Sequence, residues 1–243
     1  MLNNLNIFYK KKILIYGLGK SGLSALKFLK KNNEITTHDD KIKVDNKKIT
    51  KIKFDYIIIS PGIDINKCKL SKFLKNNSKK IYTDLDIFYN HHKENNKITI
   101  TGTNGKSTTA KILYDTLKDQ KVDVRLVGNI GNPVLLEKKV TSKTVFVIEA
   151  SSYQLEYSKL FKSNISLILN ISPDHLERHK TINKYVGAKF KLIKNQSKKD
   201  FAILNTNNFY IKRELESKNY LPKIIKIEKD IDSIFLKKIN NRY

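Results

Sequence analysis

Two glycine loops, each closing an apolar run of strand length and opening a helical pattern, constrain this chain more than any other feature. The first lies in "ILIYGLGKSGLSAL", residues 13–26, where Gly17, Gly19 and Gly22 stand in G-x-G-x-x-G spacing. The second lies in "ITITGTNGKSTTA", residues 98–110. A glycine-rich strand-to-helix turn points backbone N–H groups at one place, where an anion is held by unsatisfied donors and the helix dipole. Such units in series call for parallel strands with crossover helices, hence an α/β fold.

The rest of the chain fits two such series. Apolar runs predict strands at 12–16, 34–38, 55–59 and 80–83, with helices near 20–31, 68–77 and 84–92. The polar stretch "HHKENNK", residues 91–97, reads as a linker, with His91 and His92 as linker residues. Beyond it, strands are expected at 97–101, 122–127, 144–149, 165–170 and 200–204, and helices near 105–119 and 182–195. A short β-run, "KIIKIE", and a weak helical stretch precede the final "NNRY". The expected organisation is a Rossmann-like domain over 1–92 and a P-loop-type α/β domain over 93–243.

Composition narrows the function. No run of 18 apolar residues exists, so no membrane span is expected, and the lysines near the start lead into Gly17 rather than a cleavage site. Cys68 is the single cysteine, which excludes an internal disulfide and fits a reducing cytoplasm. The formal charge of +25 invites a nucleic-acid reading. Only four of the 48 basic residues are arginine (Arg125, Arg178, Arg213, Arg242), and the lysines are spread along the chain. Specific nucleic-acid readers lean on the arginine fork, so no nucleic-acid partner is expected.

The first loop, followed by Asp39 and Asp40 after a second β-run, has the spacing of a dinucleotide fingerprint. The second, "TGTNGKST", has what a nucleoside triphosphate needs. Gly102 and Gly105 let the backbone curl around phosphate, Lys106 supplies a cation, and Ser107 or Thr108 offers a hydroxyl to Mg²⁺. It departs from the usual P-loop in having Ile100 where the first glycine would stand. Glu149 ends the apolar run "TVFVIE", at the sheet edge where a metal partner belongs. His175 and His179 are four apart, a spacing that places two imidazoles on one helix face. With no cysteine nearby and no third ligand evident, one histidine beside a Mg²⁺–phosphate site is favoured over zinc.

"TGTNGKST", "GNIGNP", "EASSYQLE", "NISPDHLERH" and "YVGAKFKLI" occur in the order and spacing of the Mur ligases, and the chain resembles that family over essentially its whole length. These are cytoplasmic, ATP-dependent amino-acid ligases of peptidoglycan synthesis. "EASSYQLE" with "GNIG" and a Rossmann-like first domain resembles the branch that adds D-glutamate to UDP-N-acetylmuramoyl-L-alanine. The resemblance implies that the first loop holds the UDP end of that substrate near Lys20 and Ser21, not NAD. Asp39 or Asp40 would read uracil, and the loop Ser60-Pro61-Gly62 would line the pocket. ATP would lie on Gly102, Thr103, Asn104, Gly105, Lys106, Ser107 and Thr108. Ser107, Glu149 and His175 would serve two Mg²⁺ ions, and Asn129, Ser151 and Gln154 would contact the muramoyl substrate.

Lys189, in "Y-x-x-A-K", matches the family lysine that becomes a carbamate and a metal ligand; Lys191, two residues on, reads as a solvated helix lysine. Lys106, Lys189 and His175 are thus the implied catalytic residues. The family also has a third domain, and the resemblance predicts that these 243 residues stop inside the central one. A fragment of that kind is expected to bind the UDP substrate better than it catalyses, and the complete enzyme to be a monomer. A non-catalytic UDP-muramoyl-peptide binding module and, less favoured, an NAD-dependent oxidoreductase stay open as alternatives.

Overall fold

β1 (Lys12–Tyr16) is apolar after its first residue because both its faces are covered: Ile13, Leu14, Ile15 and Tyr16 are all buried. In the computed structural model, which describes residues 6–42 and 46–228, β1 pairs in parallel with β2 (Glu34–His38) on one side and β3 (Tyr56–Ile59) on the other. β4 (Ile81–Tyr82) lies outside β3. The connecting helices are α1 (Lys20–Leu29), α2 (Asn46–Thr50), α3 (Ser71–Asn76) and α4 (Asp84–His91).

The second sheet is also parallel. It is built from β5 (Asn96–Thr101), β6 (Val124–Gly128), β7 (Val145–Glu149), β8 (Ile165–Ile168), β9 (Phe201–Asn205) and β10 (Lys223–Ile227), in the order β10-β9-β8-β5-β7-β6. α5 (Lys106–Asp119), α6 (Ser152–Glu156), α7 (Leu176–His179), α8 (Ile182–Lys194) and α9 (Phe209–Ser217) complete it. In each sheet the first strand sits between neighbours that lead away in opposite directions: β1 between β2 and β3, β5 between β7 and β8. The crevice at the carboxyl end of such a strand is where open α/β sheets bind ligands. Both glycine loops leave from these two points.

The expected strands and the longer helices form, with bounds shifted by a few residues. The helix expected over 68–77 is confined to Ser71–Asn76, and the strand expected over 165–170 stops at Ile168, its last two positions turning into loop. α2, α6, α7 and α9 have no counterpart in the periodicity reading. α6 carries a legible signal nonetheless, the S-x-x-Q capping box: Ser151 N–H donates to Gln154 Oε1 at 3.0 Å and the Ser151 hydroxyl accepts from Gln154 N–H. The weak helical stretch expected near the end lies outside the described residues.

"HHKENNK" runs from the end of α4 through a turn into β5, mostly exposed but anchored by its histidines. His91 ends α4 and packs edge-on against Phe28, while His92 lies against Phe88 and Phe146. Burial pulls both imidazoles below their ordinary range, His92 to about 4. Phe88 and Phe146 meet edge to face at 4.8 Å. They belong to one apolar cluster that holds Phe8, Ile13 and Ile58 of the first sheet's layer together with Val127, Ile148 and Phe161 of the second. The segment between the sheets is thus partly anchored, with Asn95 and Lys97 buried and His91, Lys93, Glu94 and Asn96 exposed. Among the described residues no helix is long and apolar enough to cross a membrane.

Candidate active site

β5 delivers the second glycine loop. Gly105 has φ +80° and caps α5 without any side-chain acceptor, so the first amides of a 14-residue helix face the loop's mouth. The loop is held from β8's exit: Thr103 N–H donates to Asn170 O at 2.9 Å, Asn104 N–H to Asn170 Oδ1 at 2.9 Å, and Asn170 Nδ2 to Asn104 O at 3.1 Å. Lys106 folds back, its Nζ donating to Thr103 O at 2.7 Å. Thr108 is exposed on the first turn of α5.

Glu149, at the end of β7, is 0% exposed. Its carboxylate accepts from the Ser107 hydroxyl at 2.8 Å on one oxygen and from Asn129 Nδ2 at 2.7 Å on the other. Asn129 can come this close because Gly128 takes φ +110°, where an added Cβ would lie 2.3 Å from Glu149 O. Lys189 reaches the loop from α8. It is 1% exposed, and its Nζ donates to Gly102 O at 2.8 Å and lies 4.6 Å from the centre of the Tyr185 ring. Desolvation, then the Lys106 cation, pulls its pKa down to about 7 against the pull of Asp174. Tyr185 in turn contacts Thr103, hydroxyl to hydroxyl at 3.2 Å. Gly102, Lys106, Ser107, Asn129, Glu149 and Lys189 thus come together around one loop.

Both histidine rings lie against Tyr153 and Tyr185, although only His179 is within the helix. His175 precedes α7 with φ +53°, so the helix starts only after it. Its ring lies 4.8 Å from that of Tyr153, with Nε2 3.4 Å from Asp174 Oδ2. His179 is buried and its Nε2 bonds the Ser152 hydroxyl at 3.0 Å. Lys191 is not the solvated lysine expected from the sequence: it is half-buried, its Nζ donates to Glu156 O, and burial lowers its pKa. It faces a cleft of ≈ 790 Å³ on another side of α8, shared with Arg178, Lys184 and Lys194.

At the first loop Gly17 adopts φ +91°, held by Gly17 N–H donating to His38 O at 2.8 Å and by the Ser60 hydroxyl donating to Gly17 O at 2.6 Å. α1 begins after Gly19 with no side-chain cap, which leaves its first amides free for an anion. Asp39 braces the loop, accepting from Leu18 N–H at 2.7 Å and Lys41 N–H at 3.0 Å; these bonds hold its pKa below the usual carboxylate range. Asp40 accepts from the Tyr16 hydroxyl and from Lys69 N–H. Ser21 meets the carboxyl of Asp84, which is fully buried and pushed upward by desolvation. Gly62 lies in the loop after β3 with open space around its Cα. Ser151 and Gln154 form the cap of α6, next in sequence to the Glu149 corner.

Arg178, which the sequence reading left unassigned, ties the two halves together. Its Nε and Nη2 donate to Glu156 Oε2 at 2.9 and 2.8 Å, and Nη2 also donates to Ile63 O at 2.7 Å, in the loop that holds Gly17 through Ser60. Its place between two histidines, as one of only four arginines, was the available signal.

Comparison with known proteins gives this geometry a family. Residues 100–242 match the model for the Mur ligase middle domain, more than half of the chain. The UDP-N-acetylmuramoylalanine–D-glutamate ligase of Rickettsia bellii is 37% identical over 221 residues, covering 85% of this chain and 48% of the relative. That of Clostridioides difficile is 37% identical over 223 residues, covering 83% and 49%. The chain spans about half the length of the curated relatives it matches. Among solved structures, the UDP-N-acetylmuramate:L-alanyl-gamma-D-glutamyl-meso-diaminopimelate ligase from Neisseria meningitides aligns with a TM-score of 0.58 at 14% identity, over 89% of this chain and 78% of that one, a likeness of fold. The α/β chain with its paired glycine loops belongs to the Mur ligase family.

Proposed function

We propose that this chain supplies the muramoyl-nucleotide and ATP sites of a cytoplasmic ligase that joins D-glutamate to UDP-N-acetylmuramoyl-L-alanine. The observation that carries the reading is the buried Lys189 amine beneath a phosphate loop whose Ser107 is already paired with Glu149. The relatives named for that reaction support it. The UDP diphosphate would rest on the amides that open α1, beside Ser21, with Asp39 or Asp40 toward uracil and Gly62 lining the pocket. Asn129, Ser151 and Gln154 would contact the muramoyl part.

In the reaction the alanyl carboxylate attacks the γ-phosphorus of ATP, releasing ADP and leaving an acyl phosphate. The D-glutamate amine then displaces phosphate and forms the amide. The protein's task is positioning and charge matching. Lys106 would swing from Thr103 O to the β/γ-phosphates, where the α5 amides already point. Hard oxygen donors at Ser107 and Glu149 suit Mg²⁺. Among the described residues no three of His, Cys, Asp and Glu gather as a metal cage, so such ions would take most ligands from phosphate and water. Bound Mg²⁺ would offset the charge collecting on the transferring phosphoryl group.

His175 would stand near the second ion. Lys189, kept partly neutral by burial, has the amine that can add CO₂: the neutral nitrogen's lone pair forms N–C, one C=O π pair moves onto oxygen, and one N–H proton leaves, so the neutral amine becomes a carbamate anion able to face metal. Its N–H can keep Gly102 O as acceptor.

Isothermal calorimetry on the 243-residue protein tests the reading. UDP-N-acetylmuramoyl-L-alanine should bind, and NAD and NADP should not; tight NAD binding would overturn it. The dinucleotide alternative is disfavoured by the second glycine loop, which a nicotinamide enzyme has no use for, and by the relatives named for a ligase.

A further inference from the structure

Each carboxylate oxygen of Asp86 serves a different half of the molecule. Oδ2 accepts from Thr83, N–H at 2.9 Å and hydroxyl at 3.2 Å, closing the cap of α4. Oδ1 accepts from the Ser158 hydroxyl at 2.8 Å and from the N–H groups of Lys159, Leu160 and Phe161 at 2.9, 2.7 and 3.0 Å. Residues 158–161 lie between α6 and β8, in the other half of the chain. Successive amides converging on one point make a concavity for an anion, and here the anion is a side chain from the neighbouring sheet's layer. Asp86 is completely buried. A charge so placed is tolerable only when its lone pairs are matched by donors, and charge-assisted bonds are the stronger kind. Lys159 extends the contact, its Nζ donating to Ser78 O at 2.7 Å and Lys79 O at 3.0 Å.

We propose that Asp86 is a positioning residue that fixes the orientation of the first sheet on the second, and so the span between the two glycine loops. It touches neither loop. It acts through α4, whose Asp84 meets Ser21 of the first loop, and through the segment that follows α6, the helix next to the Glu149 corner. A substrate with its nucleotide end on one loop and its reacting carboxylate at the other would have to match that span; this consequence rests on the ligase reading, whereas the joint does not.

The test uses the 243-residue protein and two readouts that need no turnover. By hydrogen exchange, Asp86→Ala should speed the amides of Lys159, Leu160 and Phe161 about 100-fold while β5 and β7 keep their protection. By calorimetry, the wild type should melt in one transition that UDP shifts as a whole. Asp86→Ala should melt in two, with UDP shifting one. Asp86→Asn, which keeps one acceptor oxygen but turns an NH₂ toward donors, and Ser158→Ala, which removes one donor, should show the same exchange effect in smaller degree; they decide the matter if the alanine variant does not fold. Unchanged exchange at 159–161, or an undivided transition in Asp86→Ala, would overturn the proposal. If UDP binds neither protein, exchange and the number of transitions still judge the joint, and the failure falls on the proposed function.

Discussion

Lys97, at the root of the strand that delivers the phosphate loop, offers a measurement whose size follows from the structure. It is 1% exposed, its Nζ donates to Lys93 O and Asn95 O, and desolvation pulls its pKa from 10.5 to about 8, with Glu94 and Asp200 opposing and Lys162 adding to the fall. That difference corresponds to about 3 kcal/mol. Its sign is fixed by which state holds the proton. Below about pH 8 both the folded and unfolded chains are protonated and the whole penalty acts. Between about pH 8 and 10.5 the unfolded chain binds a proton that the folded chain has shed, so stability rises with pH; above that both are neutral.

Lys97→Met keeps the stem and removes the charge. Urea denaturation of both proteins from about pH 7 to pH 10.5 gives a difference in which every other titrating group cancels. The wild type should gain about 3 kcal/mol on the variant over that range, nearly all of it above pH 8. The constant offset left by the stranded Asn95 carbonyl does not affect the slope. Two parallel stability curves would refute the reasoning and place the ammonium in contact with water.

The remaining predictions concern the loops. Gly22→Ala should cost about 2–3 kcal/mol in urea denaturation despite alanine's better helix propensity, because its Cβ would fall 1.8 Å from Gly17 O. Gly19→Ala, with open space around it and φ −71°, should stay within about 0.5 kcal/mol. Labelled bicarbonate should give a carbamate carbon signal by NMR that Lys189→Ala abolishes; Lys191→Ala should keep the signal while losing stability, since its Nζ holds Glu156 O. A signal lost in Lys191→Ala but kept in Lys189→Ala would place the reactive amine on the wrong helix face.

Both sheets were legible because their strands are short β-type runs alternating with helical stretches. Glycine marked the two corners, where φ is positive at Gly17 and Gly105 and only a residue without Cβ fits easily. Glu149 was legible as the last residue of an apolar run. What stayed hidden depends on contacts far apart in sequence. Only the Y-x-x-A-K match separated Lys189 from Lys191; the surroundings of each were hidden, since one lies beneath Gly102 and the other, half-buried, against Glu156, both on elements at least thirty residues away. Asp86 looks like an ordinary capping carboxylate in "TDLD", because its second set of donors lies more than seventy residues on. The spacing of His175 and His179 did bring both rings against Tyr153 and Tyr185, but it did not show that His175 stands before the helix with positive φ.

The apolar cluster that joins Phe88 to Phe146 has a consequence for how the chain is born. During synthesis the first sheet leaves the ribosome complete in its hydrogen bonding while Phe146 and Phe161 are still unmade, so the layer around Phe8, Ile58 and Phe88 emerges with one wall missing. That half must wait, apolar side outward, until some seventy further residues arrive, a long-range closure of the kind that slows folding and invites association. A gene cut between the two sheets would therefore make two halves that each expose the other's core.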